Sequence, residues 1–260
     1  MADHSHAYII IIDNTDSSIN GDFIPNRLEA QKTAASRLIQ YLSKQPNKPL
    51  IGIGVIGKGG PGVITSLTDD QVKLTDSILS IQTGGKAQLV HAIRCAFLAF
   101  NNTDTPFLGK SIIAFIGTHN DVDHEKAAII ARIANENKTS INIVSMGSDV
   151  DNRNILEELV RMINCSSYLV KAESSPSTLL SDVVLASPIG PGDGSQISYA
   201  DIDPELALTI QMSLEDNQDN DIDDEELKRV IQESLEDSSY GKISHEEQTK
   251  KEDPKNHDNK

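Results

Sequence analysis

The feature that most constrains the fold of this chain is a run of four isoleucines, residues 9–12, that leads directly into Asp13. A segment that is apolar on both of its faces is typical of a strand in the middle of a parallel sheet, where helices cover both sides. Thr15 and Ser17 follow Asp13 at alternate positions. Because sites in open α/β sheets form beyond the carboxyl ends of strands, we place the first candidate site at this turn.

The chain up to about residue 186 alternates between strand-type and helix-type patterns. After the first strand, we predict strands at residues 50–56, 63–66, 111–116, 141–146 and 167–170. Helices are predicted to begin after Asn26, which suits a cap position, and after Thr68, which forms a capping box with Gln71. This alternation predicts an α/β fold, with a mostly parallel sheet and helices on both of its faces.

The part of the chain after residue 188 has a different composition. Residues 189–202 combine proline, glycine and serine without an apolar period, which predicts a linker. From residue 201 onward the chain carries 19 acidic and 7 basic residues, so this segment contributes −12 of the net charge of −16. Such a tail disfavours nucleic acid as a partner and is compatible with a partner that presents a basic surface. The alternative is a solvated, disordered tail.

Two short helical patterns interrupt the acidic tail, at residues 203–216 and 223–237, and residues 238–260 are predicted to be disordered. The two patterns repeat each other at an offset of 21 residues. The matching pairs are Leu206 with Leu227, Ile210 with Ile231, and Ser213 with Ser234. Because helices this short are marginal in water by themselves, we expect them to dock on a partner.

Cysteine usage and hydropathy indicate an intracellular chain. Cys95 and Cys165 lie in apolar contexts and are expected to be reduced thiols. No basic amino-terminal segment precedes a long apolar run, and the isoleucine run is too short for a signal peptide or a membrane span. We therefore expect a soluble protein of the cytoplasm and nucleus, without a membrane partner.

The turn after the first strand has the ligand types of a site for a hard divalent cation. These are the carboxylate of Asp13 and the hydroxyls of Thr15 and Ser17. A strand that ends in this pattern, within an alternating α/β domain of this length, resembles the von Willebrand factor A domain and its metal-ion-dependent adhesion site. The resemblance implies two further ligands, a threonine after a Gly-Gly turn and an aspartate at the end of a later strand.

This sequence departs from that ligand set at both places. Lys86 follows the Gly-Gly turn where the threonine is expected, and residues 117–119, after the later strand, contain no aspartate. We therefore expect a degenerate site without a metal, in which an ion pair between Asp13 and Lys86 fixes the loop as part of a docking surface. Two alternatives stay open: a functional metal site, and an Asp13 that caps the turn through local hydrogen bonds.

The sequence shows no arrangement typical of an enzyme. It has no GxSxG nucleophile elbow, and no Ser/His/Asp or Cys/His order points to a nucleophile. The glycine-rich residues 57–62 lack the GK[ST] ending of a phosphate-binding loop. We therefore predict a non-catalytic protein without a cofactor.

The first helical pattern of the tail carries the sharpest motif. Its acidic start, followed by Leu206, Ile210 and Ser213, resembles the ubiquitin-interacting motif. In particular, DPELALTIQMSLED is similar to the first such motif of the proteasome's ubiquitin-receptor subunits, in which an A domain precedes the motifs. The segment IDNTDSSINGDFIPNRLEAQ resembles the beginning of that A domain.

The resemblance implies which residues contact ubiquitin. In this motif an amphipathic helix lies in a shallow apolar groove, and its flanking acids meet basic residues. The implied ubiquitin-binding residues are Glu205, Leu206, Thr209, Ile210 and Ser213 in the first copy, and Leu227, Val230, Ile231 and Ser234 in the second, divergent copy. Thr209 and Val230 stand where the family has alanine, and extra bulk in a close contact costs about 1–3 kcal/mol.

The resemblance also implies the partners. Residues 1–188 would form an A domain that docks on subunits of the proteasome regulatory particle, with Asp13 as the candidate docking residue. The tail would bind polyubiquitin chains on substrates, and ubiquitin-like shuttle factors are further expected partners. The competing hypothesis is a metal-dependent adhesion or scaffold protein whose acidic tail is only a solvated appendage.

Overall fold

A computed structural model gives the structure of the chain and describes residues 6–46, 48–57, 62–103, 106–147, 152–175 and 178–191. The chain divides into two units, residues 1–195 and 196–260. All of the described residues belong to the first unit.

The first unit is built on a six-stranded sheet. Its strands are β1 (His6–Ile12), β2 (Leu50–Val55), β3 (Gly62–Thr68), β4 (Gly109–Ile116), β5 (Thr139–Met146) and β6 (Leu169–Ala172). They lie in the order β3-β2-β1-β4-β5-β6, and every neighbouring pair is parallel except β2 with β3. The prediction of a mostly parallel sheet is therefore confirmed.

Helices connect the strands and cover both faces of the sheet. They are α1 (Arg27–Ser43), α2 (Gln71–Ser80), α3 (Leu89–Asn101), α4 (His124–Glu136), α5 (Arg153–Arg161) and α6 (Leu180–Ala186), and a short 3-10 turn spans Asp16–Ile19. One face carries α1 packed against α2 and α6, and the other carries α4 packed against α3 and α5. None of the helices in the described part of the chain is long and apolar enough to cross a membrane.

The isoleucine run of β1 lies at the centre of the core. Ile9 and Ile11 belong to the apolar cluster that β1 shares with α3, α4 and α5. Ile10 and Ile12 point to the opposite face, because successive side chains of a strand alternate. All four are at most 1% exposed, and burying each side chain stabilises the fold by about 1.5–3 kcal/mol.

The two predicted helix caps have different outcomes. The Asn26 side chain accepts a hydrogen bond from the Glu29 backbone N–H at 2.9 Å and caps α1, as predicted. The predicted cap of α2 is wrong, since Asp70 caps that helix by accepting a hydrogen bond from the Val72 backbone N–H at 3.0 Å. Thr68 remains in β3, where it pairs with β2.

The strand order places a topological switch between β1 and β4. From β1 the chain runs outward to β2 and β3, and then returns across the sheet to β4. β1 and β4 are paired in parallel, with Ile11 beside Ala114, so their carboxyl ends meet at the same edge. Asp13 and Gly117 are the residues that follow closely on these two ends. We call this edge, formed by the loops after β1, β4 and β5, the carboxyl edge.

Candidate functional site

The carboxylate of Asp13 lies at the centre of the carboxyl edge and is fully buried. Its Oδ1 accepts hydrogen bonds from Thr15 N at 3.1 Å and Thr15 Oγ1 at 2.7 Å. Its Oδ2 accepts from Gly117 N at 2.9 Å and Thr118 Oγ1 at 3.1 Å. A carboxylate offers about four lone-pair positions, so these neutral donors occupy its capacity.

The backbone of Asp13 is held from the helix side by Gln31. Asp13 N donates to Gln31 Oε1 at 2.8 Å, and Gln31 Nε2 donates back to the Asp13 carbonyl at 3.1 Å. Gln31 is completely buried in α1. Our sequence reasoning did not select this residue, although it lies four positions before Ala35 in the apolar stripe of the helix.

Ser17, the third residue of the predicted degenerate site, is not the serine that contacts Asp13. Ser17 is exposed, whereas Ser18 is buried and donates from Oγ to the Asp13 carbonyl at 2.6 Å. The reason is that the backbone changes conformation here, and with it the spacing of side chains that share a face. The chain is extended at Thr15 and then enters the 3-10 turn at Asp16. Side chains three residues apart share a face in such a turn, so Ser18 lies on the same side as Thr15.

The expected ion pair between Asp13 and Lys86 is also wrong. Lys86 is exposed, and no ion pair in the described part of the chain joins it to Asp13. An ammonium group would have to give up its hydration to reach a fully buried carboxylate, which is costly. The neutral peptide and hydroxyl donors around Asp13 avoid that cost.

Instead, the Gly-Gly turn is held by its backbone. Gly84 N donates to the Asn14 carbonyl at 2.8 Å, and Asp16 N donates to the Gly85 carbonyl at 3.1 Å. The two glycines have φ values of 144° and 79°, which side chains rarely adopt. The turn therefore contributes its backbone to the carboxyl edge, and the identity of residue 86 does not determine its position.

Asn14 joins three segments at this edge and was also missed by the sequence reasoning. Its Nδ2 donates to the Gln82 carbonyl at 2.9 Å, and its Oδ1 accepts from Gly57 N at 2.8 Å. With the Gly84 contact, one 2%-exposed side chain and its carbonyl connect β1, the end of β2 and the loop before α3.

A buried cation lies beside Asp13. Arg27, the first residue of α1, is 2% exposed. Its Nε and Nη2 donate to the two carboxylate oxygens of Asp22, each at 2.7 Å, and its Nη1 donates to the Gly117 carbonyl. Paired donors of this kind fix orientation as well as charge. Arg27 lies four positions before Gln31, so extending the apolar stripe of α1 backwards would have identified both residues.

A buried amide pair connects the loops after β4 and β5. Asn120 Nδ2 donates to Asn152 Oδ1 at 2.9 Å, and Asn152 Nδ2 donates to Asn120 Oδ1 at 2.9 Å and to the Val122 carbonyl at 2.9 Å. Both asparagines are less than 9% exposed. Hydrogen bonds thus connect the described residues of the three loops that form the carboxyl edge.

Apolar side chains rim this fixed edge. Ile19 and Ile24, both in the loop between β1 and α1, are 64% and 65% exposed. A groove of about 470 Å³ lies beside Ile19 and is also lined by Leu28, Lys32 and Ile81. Neither isoleucine was selected from the sequence. The arrangement suits contact with a protein partner, since exposed apolar groups beside a rigid edge gain from burial.

The residues of the carboxyl edge do not fit a divalent cation. A magnesium or calcium ion needs several free oxygen ligands, and both oxygens of Asp13 already accept hydrogen bonds from the protein. The described residues contain no group of three His, Cys, Asp or Glu side chains that could hold a metal ion. The nine predicted ubiquitin-binding residues of the tail lie outside the described residues.

Comparison with known proteins supports the sequence resemblances. The family model for the von Willebrand factor type A domain matches residues 8–120, and the model for the ubiquitin interaction motif matches residues 203–217 and 222–238. The crystal structure of the SpRpn10 VWA domain superposes with a TM-score of 0.66 at 30% identity, covering 71% of this chain and 96% of that one. The predicted A-type fold is therefore confirmed.

Two relatives show how far the similarity extends. The 26S proteasome non-ATPase regulatory subunit 4 of Schistosoma mansoni is 29% identical over 82% of this chain, which spans 53% of the length of that relative. The 26S proteasome regulatory subunit rpn10 of Schizosaccharomyces pombe is 31% identical over 216 residues, covering 80% of this chain and 88% of the relative. At this identity and coverage, the chain belongs to the family of the 26S proteasome regulatory subunit rpn10.

Proposed function

We propose that this chain is a non-catalytic subunit of the proteasome regulatory particle that captures polyubiquitinated substrates. The observation that carries the proposal is the combination of an A domain with two ubiquitin interaction motifs behind it, at residues 203–217 and 222–238. An adhesion protein with a solvated tail has no need for a duplicated motif. We divide the chain into the A domain at 1–188, the linker at 189–202, the motif helices at 203–216 and 223–237, and a final segment at 238–260.

Docking on the regulatory particle is assigned to the A domain. Asp13 is fully buried, so its role is to position the loop that presents Ile19 and Ile24, and not to touch the partner itself. A loop that is already ordered loses little conformational entropy on docking. Buried apolar area at two isoleucines then supplies part of the affinity.

Ubiquitin capture is assigned to the tail. In an α-helix, Leu206, Thr209, Ile210 and Ser213 share one face, and the second copy repeats this face with Leu227, Val230, Ile231 and Ser234. Leucine and isoleucine supply apolar area, the serine a hydrogen bond, and Glu205 meets basic groups around the apolar patch of ubiquitin. A contact of millimolar affinity is worth only about 4 kcal/mol.

Two weak contacts on one chain are stronger together. When the first motif binds one ubiquitin of a chain, the second motif finds the next at an effective concentration set by the intervening residues. Polyubiquitin is therefore preferred over a single ubiquitin. Shuttle factors that carry ubiquitin-like domains are partners of the same helices. No step requires catalysis or a cofactor, and the protein works where proteasomes do, in the cytoplasm and nucleus.

Binding of ubiquitin to the isotope-labelled full chain, followed by NMR, tests the capture half. Leu206→Ala together with Leu227→Ala is expected to remove the shifts, since both leave the binding face without its first apolar residue. Leu208→Ala is the matched control, because Leu208 lies about 200° around the helix from Leu206. Equal losses in both variants, or no shifts in the unaltered chain, would contradict capture by these helices.

Co-purification with assembled proteasomes tests the docking half independently. We expect the full chain to sediment with the regulatory particle, and Ile19→Asp with Ile24→Asp to stay free while its thermal unfolding temperature is unchanged. Ile64→Asp is the control, since Ile64 is 47% exposed on β3, the edge strand two positions from β1 in the sheet. Release by the control variant would contradict docking through the carboxyl edge.

A further inference from the structure

The positive charge at the carboxyl edge is supplied by a side chain of the protein, Arg27. In the A-domain family that this sequence resembles, a divalent cation lies beyond the carboxyl ends of the strands. Here the residues do not fit a cation, and the buried guanidinium of Arg27 lies against the same strand ends. We propose that the Arg27 guanidinium takes the structural place of the metal ion and makes this edge independent of divalent cations. This inference does not depend on the proposed function.

The backbone of Gly117 contacts both Asp13 and Arg27. Its N–H donates to Asp13 Oδ2 at 2.9 Å, and its carbonyl accepts from Arg27 Nη1. A Cβ on Gly117 would lie 3.7 Å from Asp13 Oδ2 and 3.8 Å from Arg27 Nη1, so the acid and the base flank the same point. The A-domain family has an aspartate after this strand, and its carboxylate binds the cation. In this chain the Gly117 carbonyl accepts a hydrogen bond from Arg27 instead.

Gly147 provides the room at the end of β5. A Cβ at this position would lie 2.9 Å from Arg27 Nη2 and 3.2 Å from Asp22 Oδ2, so a side chain there would displace the paired groups. Its φ of 72° also favours glycine. The guanidinium therefore occupies a space bounded by the residues after β1, β4 and β5, and joins these three strand ends.

Both carboxylates beside Arg27 have hydrogen-bond partners among the described residues. Asp22 neutralises Arg27 through two hydrogen bonds of 2.7 Å, and Asp13 is satisfied by neutral donors. A divalent cation brought next to Arg27 would be repelled, and this repulsion is strong where water is excluded. Removing the guanidinium would leave both oxygens of the Asp22 carboxylate without their arginine partner.

Thermal unfolding of the full chain, with millimolar Mg²⁺ or Mn²⁺ or with a chelator, tests the proposal. The acidic tail attracts divalent ions, so the readout is the unfolding temperature of the domain and not the heat of binding. The unaltered protein is expected to unfold at the same temperature in all three conditions. Arg27→Gln is expected to unfold earlier and to recover by about 3 °C or more when the cation is added.

Arg37→Gln is the matched control. Arg37 also lies in α1 and also pairs with an aspartate, Asp182, at 2.7 Å, but it is far more exposed. Its variant is expected to show no response to the cation. If Arg27→Gln does not fold, Arg27→Lys replaces it: lysine keeps the charge but loses the paired donors, so it is expected to unfold earlier and to ignore the cation.

Three results would overturn the proposal. The first is a cation-dependent stabilisation of the unaltered protein that Asp13→Asn abolishes. The second is an Arg27→Gln variant whose unfolding temperature equals that of the unaltered protein, or whose response to the cation equals that of Arg37→Gln. The third is an Arg27→Lys variant that the cation stabilises as much as it is expected to stabilise Arg27→Gln.

Discussion

The carboxylate of Asp13 accepts a hydrogen bond from the backbone N–H of Gly117, 104 residues later in the chain, at 2.9 Å. This contact joins the ends of β1 and β4 at the point where the strand order switches. Thr118 Oγ1 donates to the same carboxylate oxygen from the same loop. Asp13 therefore holds the loops after β1 and β4 in one geometry, because its carboxylate bonds to both.

Asp13→Ala is expected to lower the free energy of unfolding by about 3–4 kcal/mol, because it leaves several buried donors without an acceptor. Urea denaturation of the full chain measures this loss. Asp16→Ala is the matched control: Asp16 is an exposed acid in the same loop, and its replacement is expected to change stability by less than about 0.5 kcal/mol. Similar losses in both variants would contradict the role of Asp13.

Gly57→Ala is expected to cost about 1–3 kcal/mol, because a new methyl group in a packed site forces its neighbours to move. Its Cβ would lie 2.7 Å from the Gly84 carbonyl oxygen and 2.9 Å from Asn14 Oδ1. Gly21→Ala is the control, since there the nearest atom, the Pro25 carbonyl oxygen, is 3.8 Å away. Thermal unfolding measures the stability of both variants. A larger loss in Gly21→Ala than in Gly57→Ala would contradict this account.

The strand pattern and the first helix cap were readable from the sequence because they depend on local periodicity. The run of residues 9–12 identified a doubly buried strand, and Asn26 identified the start of α1. The position of the site at the end of β1 also followed, since strand ends meet at one edge whatever the details. These features require no knowledge of which residues lie opposite.

The partners of Asp13 were not readable, because they depend on tertiary contacts and on desolvation. The alternation of Thr15 and Ser17 assumed extended backbone, and the 3-10 turn placed Ser18 inward instead. Lys86 was chosen because it stands where the family has a ligand and because it is positively charged, although a fully buried acid is more cheaply satisfied by neutral donors. The alternative in which Asp13 forms local hydrogen bonds is the one the structure supports, and Gly117 and Thr118 add long-range contacts to it.

The ion pair between Glu157 and Lys171 predicts a pH dependence. The Lys171 side chain donates to Glu157 at 2.6 Å, and this hydrogen bond, followed by the attraction of Lys171, Arg161 and Arg153, holds the pKa of Glu157 below its ordinary value of 4.5. A lowered pKa in the folded state stabilises the fold above pH 4.5, and this contribution is lost as the pH falls through the folded-state pKa.

Glu157→Gln is therefore expected to be less stable than the unaltered protein at neutral pH, and the difference is expected to shrink as the pH is lowered below 4.5. Urea midpoints measured across the acid range show this directly. The control is to introduce Glu157→Gln into a Lys171→Met variant. There its effect on the urea midpoint should be smaller, because the main partner of Glu157 is absent. An unchanged effect in that background would assign the pH dependence to another group.

The bulky central residues of the two tail motifs predict a gain of function. Thr209→Ala and Val230→Ala restore the small residue that this motif family has at the close contact, and each is expected to tighten ubiquitin binding by about 3–10-fold. Alanine also favours the helix more than threonine or valine does, so tighter binding alone would not identify the cause. Thr209→Leu separates the two effects, because leucine favours the helix but enlarges the side chain. NMR titration of the full chain with ubiquitin should show weaker binding for Thr209→Leu; tighter binding would mean that helix formation, and not bulk at the contact, limits the affinity.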